Sequence, residues 1–106
     1  MATSAELRYV TLQPRVKVEV DDTVTLVLAA NNDTDYLFFY NSGAETAWLA
    51  FGNDVPAVGD GIPIRGSATA DGGGDFESPA GVGIGRRVRA ICGAGLTTTI
   101  IAYRGV

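Results

Sequence analysis

No histidine occurs anywhere in the 106 residues. That absence removes the commonest general base, the Ser-His and Cys-His nucleophile pairs and nearly all zinc chemistry. Cys92 is the only cysteine, so no intramolecular disulfide can form, and synthesis under reducing conditions is the simplest expectation. Basic residues are outnumbered 8 to 12, leaving a net charge of -4, whereas phosphate contacts need a basic face; a nucleic-acid partner is therefore not expected. No apolar run approaches the ~18 residues that a spanning helix requires, so no membrane partner is expected either. The opening "MATSAELRYV" lacks a basic region followed by an apolar stretch and does not read as a signal peptide. Helical periodicity is missing from every stretch of useful length, and no internal repeat is evident.

What is present is alternation. In "RVKVEV" Val16, Val18 and Val20 share one face, with Lys17 and Glu19 on the other. "TVTLVLAA" follows across Asp21-Asp22, with Val24, Leu26 and Leu28 expected inward and Thr23, Thr25 and Val27 opposite. The Asp-Asp pair is short enough for a hairpin turn. "NNDTD", residues 31–35, reads as a loop because Asn and Asp bond back to their own backbone. The ribbon "YLFFYNSGAETAWLAFGN", residues 36–53, then puts Leu37 and Phe39 on one face and Tyr36, Phe38 and Tyr40 on the other. Beyond the turn, Ala47, Leu49 and Phe51 alternate with Thr46, Trp48 and Ala50. Two apolar faces imply a strand pair covered on both sides, by the core and by either a second layer or another molecule.

Between Asn53 and Gly85 the character changes: three of the four prolines and nine of the fourteen glycines fall here. Only "GIPI" and "DFES" read as extended, and the segment is expected to be a long loop that functions or orders on a partner. Alternation returns in "RRVRAICG" and "LTTTIIAYRG", joined by Gly93-Ala94-Gly95 in the manner of a hairpin. The chain thus reads as all-β, an antiparallel β-sandwich or partly open barrel of about seven or eight short strands. Residues 1–14 form an N-terminal arm, and residues 15–106 a single domain with the Gly/Pro-rich loop at 53–85.

Few motifs point to chemistry. Gly81, Gly83 and Gly85 have neither the dinucleotide spacing nor a following helix, so they read as a flexible approach to the next strand. "NNDTD" and "DGGGD" fall short of a calcium loop, and no metal, cofactor or catalytic residue is expected. Cys92 reads as a buried small apolar residue. Arg86, Arg87 and Arg89 are the only basic cluster, either a solvated strand face or a bidentate dock for a partner's carboxylates. Tyr36, Phe38, Tyr40 and Trp48 are either core residues or one exposed aromatic patch that anchors an interface.

The order of "LFFYNSGAETAWLAFGN", the "GIPI" segment and the ending "RAICGAGLTTTIIAYRG" resembles small β-sandwich virion proteins of tailed bacteriophages and gene-transfer particles. These share a strand ending in Asn, a small polar turn, a strand with an aromatic and a small residue, a "G-x-P-L-x-x-G"-like loop and a "Y-A-I-x-x-x-G" hairpin. The likeness spans roughly residues 36 to 104. The chain departs from the pattern at Arg89, where an aromatic is usual, and in the enlarged loop "SATADGGGDFESPAGVGIG". The resemblance implies a non-enzymatic structural protein on the capsid exterior, made in the host cytoplasm: cement, decoration or head-spike base, with a tail or fibre component as a further option. Its partners would be the major capsid protein or other virion proteins and further copies of itself. From a different class, a carbohydrate-binding module would use Tyr36, Tyr40 and Trp48 as a stacking platform.

Overall fold

The computed structural model describes residues 11–67, 73–79 and 84–106. Eight strands follow one another: β1 (Val16–Val20), β2 (Thr25–Leu28), β3 (Tyr36–Asn41), β4 (Ala47–Phe51), β5 (Ile62–Ile64), β6 (Asp75–Pro79), β7 (Val88–Cys92) and β8 (Thr98–Gly105). They form two four-stranded sheets in the orders β1-β8-β3-β6 and β2-β7-β4-β5, here called the first and second sheets. Every pairing is antiparallel. This strand order is that of a double-sheet jelly roll, and the expected β-sandwich is what the chain forms.

Alternation explains which residues fill it. The first sheet turns Val20, Leu37, Phe39, Ile100 and Ala102 inward; the second supplies Leu28, Ala47, Leu49, Ile64, Val88, Ala90 and Cys92. Phe39 meets Phe51 across the sandwich edge-on at 6.1 Å, and Phe76 lies 6.2 to 6.4 Å from both. Full burial of a ring such as Phe39 is worth about 1.5–3 kcal/mol of transfer free energy, and the contacts with the partly buried Phe51 and Phe76 add to it.

The predicted connections need correcting. β1 and β2 sit in different sheets, as do β3 and β4, and β7 and β8. Asp21-Asp22 and Gly93-Ala94-Gly95 are therefore corners that carry the chain across the sandwich, not hairpin turns, and the aromatic ribbon is split between the sheets. The two corners brace each other: Cys92 N–H donates to Asp21 O at 2.7 Å, and Gly95 N–H to the Asp22 carboxylate at 3.0 Å. The expectation for Leu26 also fails. A register irregularity between Leu26 and Leu28 leaves Leu26 52% exposed and buries Val27 and Leu28, because a bulge shifts the alternation by one residue. The segment 53–85 is less of a loop than its composition suggests, since it contains β5 and β6. Of the expected N-terminal arm, residues 1–10 lie outside the described residues. Residues 11–13 lie along β8, with Thr11 and Val106 exchanging two backbone bonds of 2.9 Å and Gln13 N–H donating to Arg104 O at 2.8 Å.

One end of the sandwich is closed by Asn41, which is 1% exposed. Its amide donates to Glu45 O at 2.7 Å and Ile64 O at 2.9 Å. Its carbonyl accepts from Gly43 N–H at 2.9 Å and the Thr98 hydroxyl at 2.7 Å. Two donors and two lone pairs are all that an Asn side chain has, and all are used. The turn after β3 packs too closely for side chains: a Cβ on Gly43 would collide with the Thr98 hydroxyl, and one on Gly66 with the Ala44 carbonyl.

Replacing Asn41 by Ala strands two buried carbonyls, a hydroxyl and an amide, and is expected to cost about 3 kcal/mol. Thr98→Val removes a single bond and should cost about 1 kcal/mol. Urea denaturation of both variants checks the order, and equal losses contradict this role for Asn41.

Candidate functional site

Because β3 alternates, what is not in the core is on the outer face of the first sheet. Tyr36, Phe38 and Tyr40 stand there in a row. β8 places Tyr103 beside Phe38 and Ile101 beside Tyr40, with the Phe38 and Tyr103 rings 6.3 Å apart and tilted by 46°. On the far side of β3, β6 brings Glu77 against Phe38 and Asp75 against Tyr40. On the far side of β8, β1 brings Lys17 against Ile101 and Glu19 against Thr99. The result is an aromatic and aliphatic centre flanked by charged strands, mostly acidic. Among the described residues no further layer covers it: Tyr40 is 42% exposed, and Tyr36, Phe38, Ile101 and Tyr103 are half-buried by their own neighbours. The expectation of a ribbon covered on both sides thus holds for one side only within this chain.

The Tyr36 hydroxyl donates to Glu77 Oε2 at 2.5 Å. That bond, reinforced by partial burial and by the negative charges of Glu77 and Asp75, holds the phenol above its ordinary value near 10. Deprotonation would put two anions side by side.

Trp48 does not join this face. It lies on the outside of the second sheet, half-buried between Ile91 on β7 and Pro63 on β5. The whole sandwich, about 10 Å between sheets, separates it from Tyr36 and Tyr40. Neither the single patch of four aromatics nor the glycan platform of Tyr36, Tyr40 and Trp48 is assembled. Ile101 and Tyr103 are members of the face that the sequence reading missed. Their alternation in "TTTIIAYRG" carried the signal, but only the pairing of β8 with β3 gives it meaning.

The arginines divide differently. Arg87 Nε donates to Gly52 O at 3.0 Å, and Arg89 Nη2 to Asp54 O at 2.7 Å and more weakly to Gly52 O at 3.4 Å. Two guanidiniums thereby fasten the turn after β4, where Gly52 has a φ of 67° that favours glycine. Arg86 lies across Gly52, where an added Cβ would meet its Cδ at 2.8 Å, and is exposed. Arg87 and Arg89 hold the fold's own carbonyls, which is a structural use of the guanidiniums that neither the solvated-face nor the partner-dock expectation included. Arg104 acts alike, bonding to Ala29 O between the sheets, and burial pushes its guanidinium pKa down.

Of the remaining candidates, Cys92 is buried, its thiol donates to Thr46 O at 3.3 Å, and burial first of all pushes it above its usual range. It is a core residue, as expected. Gly81 and Gly83 lie outside the described residues. Gly85 is a point of close approach, where a Cβ would meet Asn31 O at 2.7 Å. Part of "DGGGD" is likewise outside the described residues. "NNDTD" is a loop in which Asn31 Oδ1 accepts from Asp33 N–H at 2.9 Å. Among the described residues no group of three or more acidic or cysteine side chains converges as a metal site.

No family model matches this chain, and no curated protein matches it. Among solved structures, it is similar to a chain from Bacillus endospore appendages, described as forming a novel family of disulfide-linked pili. The similarity has a TM-score of 0.43 and 14% identity, over 92% of this chain and 88% of that one. At that level it carries no inference about activity or partners.

The Tyr36–Glu77 bond makes a pH prediction. A phenol whose pKa is raised on folding contributes stability that is complete below pH ~10 and is lost as pH rises through the folded value. The phenolate absorbance assigned to Tyr36, obtained as the difference between wild type and Tyr36→Phe, should therefore appear above the ordinary range. Glu77→Gln should bring it down, and an unchanged titration in that variant contradicts the assignment.

Proposed function

We propose that the chain is a non-enzymatic structural subunit that works by packing against other protein chains. Its place is the exterior of a phage-type capsid, as a cement, decoration or head-spike-base protein. The observation that carries the reading is the outer face of the first sheet, where five large side chains from β3 and β8 form one surface that nothing among the described residues covers. Aromatic residues flanked by charge are what protein interfaces use at their centres and rims. Support for the capsid comes from the order of motifs along residues 36–104, read as a resemblance to small virion β-sandwiches. The jelly-roll topology is compatible with this and by itself selects no function.

On this reading the partner is the major capsid protein or another virion protein, and the acidic flanks favour a partner surface that is basic where it meets Asp75 and Glu77. The carbohydrate alternative loses its platform, because Trp48 is on the opposite side of the molecule.

The neighbourhood of the gene should contain a major capsid, portal or tail gene, and the protein should co-sediment with undecorated capsids assembled from that capsid gene. Tyr40→Asp places a charge on an exposed side chain of the face and should weaken that binding at least tenfold without unfolding the protein. Equal binding by Tyr40→Asp removes this face from the interface, and a neighbourhood with no virion genes removes the capsid. The segment 68–83 is a poor target for deletion, since it includes all of β6.

A further inference from the structure

The outer edge of β1 pairs with nothing among the described residues, and an edge strand offers a row of free N–H and C=O groups to another strand. The other three edges are poor templates. β2 is broken by its register irregularity. β5 is three residues long with Pro63 at its centre, which removes a donor. β6 alternates Asp75 and Glu77, so a second copy of itself would set acid against acid. β1 is regular, has no proline and runs five residues.

Charged side chains commonly blunt an edge, but their order on β1 does the opposite. At alternate positions stand Arg15, Lys17, Glu19 and Asp21, two cations followed by two anions, all exposed; Lys17 and Glu19 share the outer face of β1, and Arg15 and Asp21 directly flank the strand. We infer that β1 is a two-fold interface, at which a second copy of this chain adds its own β1 antiparallel about Val18 to join the two first sheets into one.

In that register Lys17 of one copy stands opposite Glu19 of the second, and Arg15 opposite Asp21, and the two-fold repeats both pairs. Every cross-strand partner on the charged face is then of opposite sign. Sliding the register by two residues in either direction puts Lys17 opposite Lys17 or Glu19 opposite Glu19. A parallel arrangement opposes like charges throughout. Sliding by one residue would turn the valine face of one strand to the charged side. Only one register satisfies all four pairs, and a self-complementary edge is what an isologous dimer requires. The Asp21 carboxylate already accepts Thr23 N–H at 2.8 Å through Oδ1, which leaves its second oxygen for Arg15.

The opposite face of the strand fits as well. Val20 is fully buried and Val18 half-buried, but Val16 is 37% exposed. Val16 would stand beside Val20 of the second copy and lose water that nothing among the described residues excludes. Antiparallel neighbours keep the same face outward, so both aromatic surfaces would lie on one side of an eight-stranded sheet. The inference deepens the structural reading by naming one partner. It does not depend on the capsid, and failure of capsid binding leaves it standing.

Sedimentation equilibrium on the full chain tests it. Wild type should be a dimer that weakens as salt is added, since its rim pairs are exposed. Lys17→Glu and Glu19→Lys should each weaken dimerisation at least tenfold while the circular dichroism of the β-sandwich is kept. The double variant Lys17→Glu/Glu19→Lys should recover it. A wild type that stays monomeric at every concentration overturns the inference. So does a dimer indifferent to the single reversals, or a double variant no stronger than the singles. Were a single reversal to unfold the chain, the salt series on wild type would decide, and a salt-independent dimer would overturn the assignment.

Discussion

The side-chain amide of Asn41 is the contact on which the closure of this sandwich depends. At that single point the end of β3, the turn that follows it, the end of β5 and the start of β8 are held to one group. Two of those elements belong to the first sheet and one to the second, so the bonds tie together layers whose inner faces meet through apolar contact. Hydrophobic packing is non-directional and would tolerate sliding between sheets. A fully satisfied buried amide is directional, and a partly satisfied one is costly, so it admits one alignment. The opposite end is held differently, by Arg87, Arg89 and Arg104 reaching the backbone carbonyls of the neighbouring turns.

With the inner faces committed to each other, the outer faces show what is left. A sandwich of this length cannot hide all its aromatic residues inside: the core takes Phe39, Phe51 and Phe76, and β3 and β8 keep Tyr36, Phe38, Tyr40 and Tyr103 outside. That remainder is concentrated on the first sheet and flanked by charge. Trp48 lies on the second sheet between an isoleucine and a proline, with no other aromatic beside it among the described residues. The asymmetry between the two outer faces gives the domain a direction, which the proposed docking would use.

Much of this was legible in the sequence, and the reason is the two-residue period. "RVKVEV", "GIPI" and "DFES" each predict a strand that is present, and the exclusion of helices follows from the same pattern. Partner choice was not legible. Asp21-Asp22 and Gly93-Ala94-Gly95 have the length and composition of hairpin turns, but a corner between stacked sheets spends the same few residues on the same chemistry. Pairing was therefore assigned to chain neighbours, when the true partner of β1 is β8, about eighty residues away. Leu26 was misplaced because a bulge leaves no mark in the residues around it. The unity of Tyr36 and Trp48 was inferred from nearness in sequence, which a crossing between sheets undoes. Asn41 stood at a strand end, where asparagine is common for turns, and nothing local distinguishes a turn residue from one whose every bond is buried.

Hydrogen exchange followed by NMR at the Asn41 side-chain amide and the Gly43 backbone amide is the most direct test of how the sandwich is closed. If the network holds the sheets, both exchange only through global unfolding, with the same free energy as the central amides of β3 and β8. Exchange at the rate of an exposed turn, while those strands stay protected, would show that the sheets close without it.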